Sequence, residues 1–213
     1  TNFPVTANAV QSTLGGAQDG CIVKLNPTCT SLLYSTYLGG SADDACFALV
    51  LNSAGNVVTI GGTLSSNFPT VTGALHTTAQ GGADGFASVI NLTTGLVNST
   101  YLGTTAYDHA FKVQIDGSDN VYVMGQTLGT YPVSTGVYSL TDHDIFIDKL
   151  SPSLSTSLLS TRLGNTQTGI KFVPTAFLLD ECGNTYLCGF NPNPTLPVSP
   201  NAFATAGGFW LAV

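Results

Sequence analysis

The 213-residue chain is 43% hydrophobic but only 8% charged, so it can form a sizeable core while uncharged polar residues supply much of its surface. Its formal charge of -7, with only five dispersed Lys and Arg residues, excludes nucleic acid as a partner, because phosphate binding needs a clustered basic patch. No apolar run approaches the roughly 20 residues that cross a bilayer, and we therefore expect no membrane span.

The first predicted element is a loop built around a proline. Residues 2–5, Asn-Phe-Pro-Val, are matched by Asn-Phe-Pro-Thr at 67–70, and Pro132 and Pro197 occupy the same place further along. Proline fixes its own backbone and removes a hydrogen-bond donor, which indicates a surface loop with one helical turn. Each loop contains one apolar residue that we expect to anchor it. These anchors are Val10, Leu75, Tyr138 and Phe203.

A glycine pair or an acidic turn then leads into a short strand rich in β-branched and aromatic residues. These strands are predicted at 21–25, 86–90, 145–150 and 209–213. A second strand follows and ends in a motif that recurs. Thr-Tyr-Leu-Gly at 36–39 returns at 100–103, and Thr-Arg-Leu-Gly takes its place at 161–164. We interpret the glycine as the end of the strand.

The remaining two strands of each repeat are joined by a tight turn of Asn, Asp and Gly residues, which predicts a hairpin. The predicted turns are 52–56, 116–120 and 180–184. One period of about 64 residues thus contains four antiparallel strands, the composition of a β-propeller blade. A β-solenoid is the alternative, although its coils are normally shorter.

The predicted fold is all-β, with residues 1–213 forming a single β-propeller region. We place the second half of a blade at 1–40, full blades at 41–104 and 105–165, and a partial blade at 166–213. These segments supply 13 strands, whereas closed propellers use roughly 4 to 8 blades of four strands. The sequence therefore predicts an incomplete arc of a larger propeller.

Several linked motifs at constant spacing carry a resemblance to a known family. They are YSTYLGG at 34–40, the pair Asp43 and Asp44, SAGNVVTIGGT at 53–63, NFPT at 67–70 and GGADGFASVINL at 81–92. This order resembles the bacterial seven-bladed β-propeller repeat family of secreted and cell-surface proteins. The resemblance implies export, with an extracellular or cell-surface location, and it provides no catalytic residues to transfer. The last repeat departs most, with an insertion across 167–174 and no Asp pair.

Recurring aspartates are the first candidates for a functional site. Asp44 and Asp108 share one register, and Asp19, Asp84 and Asp144 share another. Carboxylates at blade edges can bind calcium, but an Asp beside a turn more often accepts hydrogen bonds from backbone N–H groups. We expect capping. The segment 116–120 lacks the spacing and distal Glu of an EF-hand and is also interpreted as a turn.

Two histidines have carboxylate neighbours, in Asp108-His109 and in Asp142-His143-Asp144. Adjacent strand residues point to opposite sides, so we predict no metal ligands and no acid–base pair there. Glu181 is the only Glu, and no nucleophile elbow, phosphate loop or dinucleotide fingerprint is present. The expectation is no catalytic residue, no cofactor and no enzymatic activity.

Aromatic and cysteine residues complete the candidates. Tyr37, Tyr101, Tyr122, Tyr186 and Trp210 are expected to pack between blades, and exposed ones could stack on sugar rings. Cys46 and Cys188 are expected as buried thiols. Cys21 and Cys29 flank a hairpin loop, where a disulfide or two free thiols both remain open.

The leading hypothesis for function is a non-enzymatic, exported β-propeller scaffold, a structural, adhesion or interaction module of a larger bacterial surface protein. The alternative is a carbohydrate-binding or polysaccharide-degrading propeller with its site at the central opening. Expected partners are the rest of a longer chain or other protein subunits, or surface polysaccharide. Open strand edges predict that the arc associates or is covered.

Overall fold

The computed structural model describes residues 3–141, 143–164, 173–190, 199–200, 202 and 209–212. This part of the chain contains thirteen β-strands and no helix. The strands are β1 (Gly20–Leu25), β2 (Leu32–Leu38), β3 (Asp44–Leu51), β4 (Val57–Thr63), β5 (Asp84–Asn91), β6 (Gly95–Leu102), β7 (Asp108–Ile115), β8 (Val121–Thr127), β9 (Ile145–Leu150), β10 (Ser157–Leu163), β11 (Val173–Leu179), β12 (Thr185–Phe190) and β13 (Phe209–Ala212). The Pro197 loop and the anchor Phe203 lie outside the described residues, as does the predicted insertion at 167–174 except for its last two residues, which begin β11.

The strands form four antiparallel sheets in which each strand pairs with the next along the chain. The first sheet contains β1–β2, the second β3–β6, the third β7–β10 and the fourth β11–β13. Strands β3 and β7 begin at Asp44 and Asp108, 64 residues apart. The described sheets do not close into a ring. The predicted all-β fold, with four-stranded antiparallel sheets in an open arc, is therefore confirmed.

Hydrogen bonds within the turns explain why these sequences form hairpins. Asn52 Oδ1 accepts a bond from Asn56 N at 2.9 Å, and Asp116 Oδ1 accepts one from Ser118 N at 2.9 Å. The fourth turn residue is left-handed in all three hairpins, with φ of 75° at Gly55, 61° at Asp119 and 86° at Gly183. Glycine, and to a lesser degree Asp, tolerates this conformation.

The sheets stack face to face, with a separate apolar core in each of the three gaps. The first core joins Ile22 and Leu38 of the first sheet to residues of the second, including Phe86. The second joins the second and third sheets, and the third joins the third and fourth. Because successive strand residues face opposite sides, each inner sheet contributes to two cores. Val121 and Val123 face one gap, whereas Tyr122 and Met124 face the next.

The three described proline loops lie beside β2, β6 and β10, the last strands of the first three sheets. Backbone N–H groups of Thr6, Val71 and Ser134 donate to carbonyls of these strands at 3.0–3.1 Å. The described parts of these loops form turns, and the expected helical turn is absent from them.

Two of the predicted loop anchors are confirmed, since Val10 and Leu75 pack on the cores. Tyr138 was wrongly predicted as an anchor, because its side chain is 65% exposed. A phenol, unlike an aliphatic side chain, meets water at little cost.

Candidate functional site: repeated carboxylates at the sheet junctions

Two equivalent aspartates begin the first strand of the second and third sheets, and both are buried. Asp44 Oδ2 accepts hydrogen bonds from Gly40 N at 2.7 Å and from Ser65 Oγ at 2.7 Å. Asp108 Oδ2 accepts from Thr104 N at 2.6 Å and from Thr104 Oγ1 at 2.8 Å. Each carboxylate thus caps the segment that connects one sheet to the next, as the sequence predicted.

The second register of aspartates stands at the start of β1, β5 and β9. Asp19 accepts bonds from Gly15 N at 2.7 Å and Gly16 N at 3.2 Å, and Asp84 accepts from Gln80 N at 2.8 Å and Gly81 N at 3.2 Å. Capping is therefore confirmed for Asp19 and Asp84 too. Asp144, directly before β9, is also buried.

Glycine in the repeated motif lies between carboxylates of the two registers. A Cβ on Gly39 would lie 2.7 Å from Asp19 Oδ1 and 2.8 Å from Asp44 Oδ2. A Cβ on Gly103 would collide with Asp84 Oδ1 and lie 3.2 Å from Asp108 Oδ2. The glycine therefore recurs because a side chain would displace the caps. The sequence had indicated only the end of a strand.

Burial controls the ionisation of these carboxylates. It raises the pKa of Asp84, while hydrogen bonds from Gln80 and Gly81 oppose the shift and the nearby charge of Asp108 adds to it. Burial also raises the pKa of Asp108, against bonds from Thr127 and Thr104. Both carboxylates are thus bonded to the backbone around them and shielded from solvent.

A further buried carboxylate, Asp148 in β9, was missed by the sequence analysis. Its Oδ2 accepts a bond from the Tyr131 hydroxyl at 2.9 Å, and its Oδ1 accepts one from Ser157 at 2.6 Å. Burial raises its pKa to about 6, although both hydrogen bonds lower it. The available signal was a charged residue inside an otherwise apolar strand.

The described hydrogen-bond partners of His109 and His143 are a tyrosine hydroxyl and backbone carbonyls. His109 lies among the rings of Phe47, Tyr107 and Phe111, and the Tyr107 hydroxyl is 2.8 Å from its Nδ1. Burial lowers the pKa of His109. His143 contacts backbone carbonyls of Thr141 and Gly129, both at 2.8 Å, while Asp142 lies outside the described residues.

No three His, Cys, Asp or Glu side chains among the described residues are arranged to hold a metal ion.

Most of the described aromatic candidates have packing or hydrogen-bonding roles. Tyr101 is buried in the core between the first and second sheets, and Tyr122 lies between the third and fourth. Tyr37 is half-buried against Phe3, with ring centroids 5.0 Å apart. The hydroxyl of half-buried Tyr186 donates to Asp180 Oδ2 at 3.0 Å. The side chain of Trp210 lies outside the described residues.

All five cysteines are free thiols, so Cys21 and Cys29 form no disulfide in this structure. Cys46 and Cys188 are half-buried, whereas the sequence predicted burial. Cys46 packs at the edge of the core between the first and second sheets. Burial still raises the pKa of Cys46 to about 12, against the effect of a hydrogen bond with Thr59.

A cleft opens at the hairpin-turn end, between the third and fourth sheets. The second and third sheets are tied there by Ser53, whose N and Oγ donate to Asp119 at 2.9 and 2.5 Å. The equivalent positions one repeat later are Gly117 and Gly183, which cannot form this tie. They line a cavity of about 450 Å³.

Tyr122 and Lys149 also line this cleft. The Lys149 ammonium lies 3.0 Å from Asp116 Oδ2 and 4.8 Å from the ring centroid of Tyr122. A second cavity, of about 340 Å³, lies at the opposite end beside Gly39 and Gln11.

The fold and these junctions define a class of protein, an all-β arc of stacked antiparallel sheets that resembles part of a propeller. No family model matches the chain, and neither does any curated protein. The part of the chain that the structure describes contains no long apolar helix of the kind that crosses a bilayer.

Proposed function

We propose that this chain is a non-enzymatic, exported β-propeller region that serves as a rigid scaffold or adhesion module in a larger bacterial surface protein. The proposal rests on the structural role of the repeated carboxylates. Asp44, Asp84 and Asp108 are buried and bound to backbone N–H groups of their own repeats. They stiffen the junctions between sheets, and a rigid framework of this kind presents its turns to partners.

The expected partners are further strands of a longer chain, or other subunits, that complete the arc. Large apolar side chains such as Leu25 and Leu49 are exposed on strands, which supports association rather than an isolated surface. Export and a cell-surface location are supported by the resemblance of the repeat motifs to secreted propeller repeats.

A carbohydrate-binding propeller is the second candidate, and the cleft between the third and fourth sheets favours it. Its volume of about 450 Å³ falls in the range of small-molecule sites, and Tyr122, Lys149 and Ser118 line it. A sugar there would accept hydrogen bonds from Lys149 and donate to the acidic turn residues. The ring of Tyr122 is covered by Lys149, so the usual stacking platform is occupied.

One experiment separates the two candidates. The chain and its Asp108→Asn and Lys149→Ala variants are assayed for release of reducing ends from a panel of polysaccharides and for binding to the same panel. The scaffold proposal predicts no turnover and no saccharide binding that depends on Lys149. Hydrolysis abolished by Asp108→Asn, in a variant that remains folded by circular dichroism, would overturn it. Binding lost on Lys149→Ala would establish the second candidate.

A further inference from the structure

Three residues occupy the same position in the first strands of three sheets, at intervals of 64 residues. They are Leu49 in β3, Val113 in β7 and Phe177 in β11. Val113 and Phe177 are each 6% exposed, whereas Leu49 is 54% exposed. The same strand position is thus covered in two sheets and uncovered in one.

The two buried counterparts, Val113 and Phe177, pack against equivalent parts of the preceding sheet. Val113 shares a core with Val58 and Ile60 of β4, and Phe177 shares one with Tyr122 and Met124 of β8. In both cases this core includes the second strand of the preceding sheet. That strand forms a hairpin with the first strand of its sheet.

The sheet preceding Leu49 contains only the counterparts of third and fourth strands. The pairing of Gly20 with Leu38 in β1–β2 corresponds to that of Gly85 with Leu102 in β5–β6. Among the described residues, therefore, no first-strand or second-strand equivalent lies in front of Leu49. Leu51, two residues further along β3, is likewise 59% exposed.

The edge of β1 gives an independent indication of what is missing. Its counterpart β5 pairs with β4 on one edge and with β6 on the other. Strand β1 pairs with β2 alone, and no other described strand lies beside it. An unpaired edge presents a row of backbone N–H and C=O groups that can accept another strand.

We propose that the β1–β3 groove, defined as the free edge of β1 together with Leu49 and Leu51, docks an antiparallel β-hairpin of the first-and-second-strand type. The second strand of this partner hairpin adds to β1 through backbone hydrogen bonds, a mode known as β-augmentation. Its apolar face covers Leu49 and Leu51, as β3–β4 covers Val113.

The chemistry of the occupant follows from its counterparts in this chain. It has two strands of about seven residues joined by an Asx-Gly turn, with alternating apolar side chains, as in β7–β8. The described hairpins are already paired within their own sheets, so the partner hairpin is a separate segment. The inference rests on the proposed function only in that a partner completes the arc.

The test uses the full chain and a synthetic peptide of residues 108–127 as the hairpin probe. Calorimetry measures binding, and amide hydrogen exchange measures protection at Gly20–Leu25. We expect saturable binding of one peptide per chain and slowed exchange in β1. A peptide of residues 84–102, the third-and-fourth-strand type, serves as the control and should not bind.

Variants of the chain then locate the surface. Leu49→Asp and Leu51→Asp place a charge where apolar cover is expected, and each should weaken binding about tenfold or more. Leu128→Asp, at an equally exposed leucine outside the groove, should leave binding unchanged. All three side chains are exposed, so circular dichroism should show intact folding.

Three results would overturn the inference. They are absence of saturable binding, equal binding of the control peptide, and binding that Leu49→Asp and Leu51→Asp leave intact. A concentration-dependent dimer that the 108–127 peptide cannot dissociate would assign the groove to a second copy and would also overturn it. Because the polysaccharide assays do not involve this groove, such failures are distinguishable from failure of the proposed function.

Discussion

Gly103, the last residue of a repeated Tyr-Leu-Gly motif, lies directly against the carboxylate of Asp84. The same relationship joins Gly39 to Asp19 and Gly164 to Asp144. In each case the glycine leaves room for a carboxylate at the start of the strand that pairs with its own. The glycine of the repeated motif, which is the strongest signal in the sequence, is thus required so that the end of a strand can pack against a capping carboxylate.

Replacing Gly103 with Ala should destabilise the protein by about 1–3 kcal/mol, because the new Cβ would collide with Asp84 Oδ1 and force the cap to move. Urea denaturation measures this change. Gly82→Ala is the matched control, since a Cβ there meets no atom within 4 Å. Equal stability of the two variants would contradict the proposed role of the motif glycine.

The buried carboxylate of Asp148 should make stability depend on pH. Burial raises its pKa from 3.8 to about 6. Its contribution is therefore fully present below pH 3.8 and is lost as the pH rises through 6. Asp148→Asn cannot ionise, so the stability of wild type relative to this variant should fall by roughly 2 kcal/mol between pH 4 and pH 7.

Asp116→Asn provides the control for this pH effect. Partial burial raises the pKa of Asp116, but hydrogen bonds from Asn120 and Lys149 dominate and lower it to about 2. Its contribution is present above the ordinary Asp pKa and is lost only as the pH falls through 2. The difference between wild type and Asp116→Asn should thus be constant from pH 5 to pH 7. Urea denaturation at several pH values measures both differences. If the difference from wild type has the same pH dependence for Asp148→Asn as for Asp116→Asn, the assignment to Asp148 is refuted.

Tyr101→Phe should cost about 2–3 kcal/mol in the free energy of unfolding. The Tyr101 hydroxyl donates to Ser65 O at 2.8 Å and accepts from Phe68 N at 2.8 Å, so its removal leaves two buried backbone groups without this partner. Thermal and urea denaturation both measure the loss. Tyr138→Phe, at an exposed ring, should change stability by less than about 0.5 kcal/mol. A similar small change for Tyr101→Phe would mean that the bond is dispensable.

Cys29→Asn should stabilise the protein by about 0.5–1 kcal/mol. Cys29 is exposed and has a φ of 56°, a left-handed conformation that Asn adopts more readily than Cys. Cys182→Asn, at an exposed turn residue outside the left-handed region, should have no such effect. If melting temperatures rise equally in the two variants, loss of a thiol rather than backbone strain is the cause.

The strands and hairpin turns could be predicted because their signals are local. Asn, Asp and Gly at turn positions cap neighbouring backbone groups, and alternating apolar residues mark strand faces. The strand content and the sheet grouping followed from these signals together with the 64-residue spacing. Capping by Asp44 and Asp108 followed for the same reason, since each bonds to a residue only four positions away.

The parts that could not be predicted depend on how strands pair and sheets stack. Contact between Gly103 and Asp84, which are 19 positions apart, forms only when β5 and β6 pair. Burial of Asp148 likewise requires Tyr131 from the proline loop. The exposure of Tyr138 and the half-burial of Cys46 also follow from the cover that neighbouring segments provide, which no single strand encodes.

The most direct test of the open arc is the intact mass of the native protein by mass spectrometry, with its molar mass in solution by light scattering. The account predicts a native chain well above the 21.9 kDa of these 213 residues, because further strands are needed to cover β1, Leu49 and Leu51. A native chain of 21.9 kDa that is monomeric in solution would contradict it.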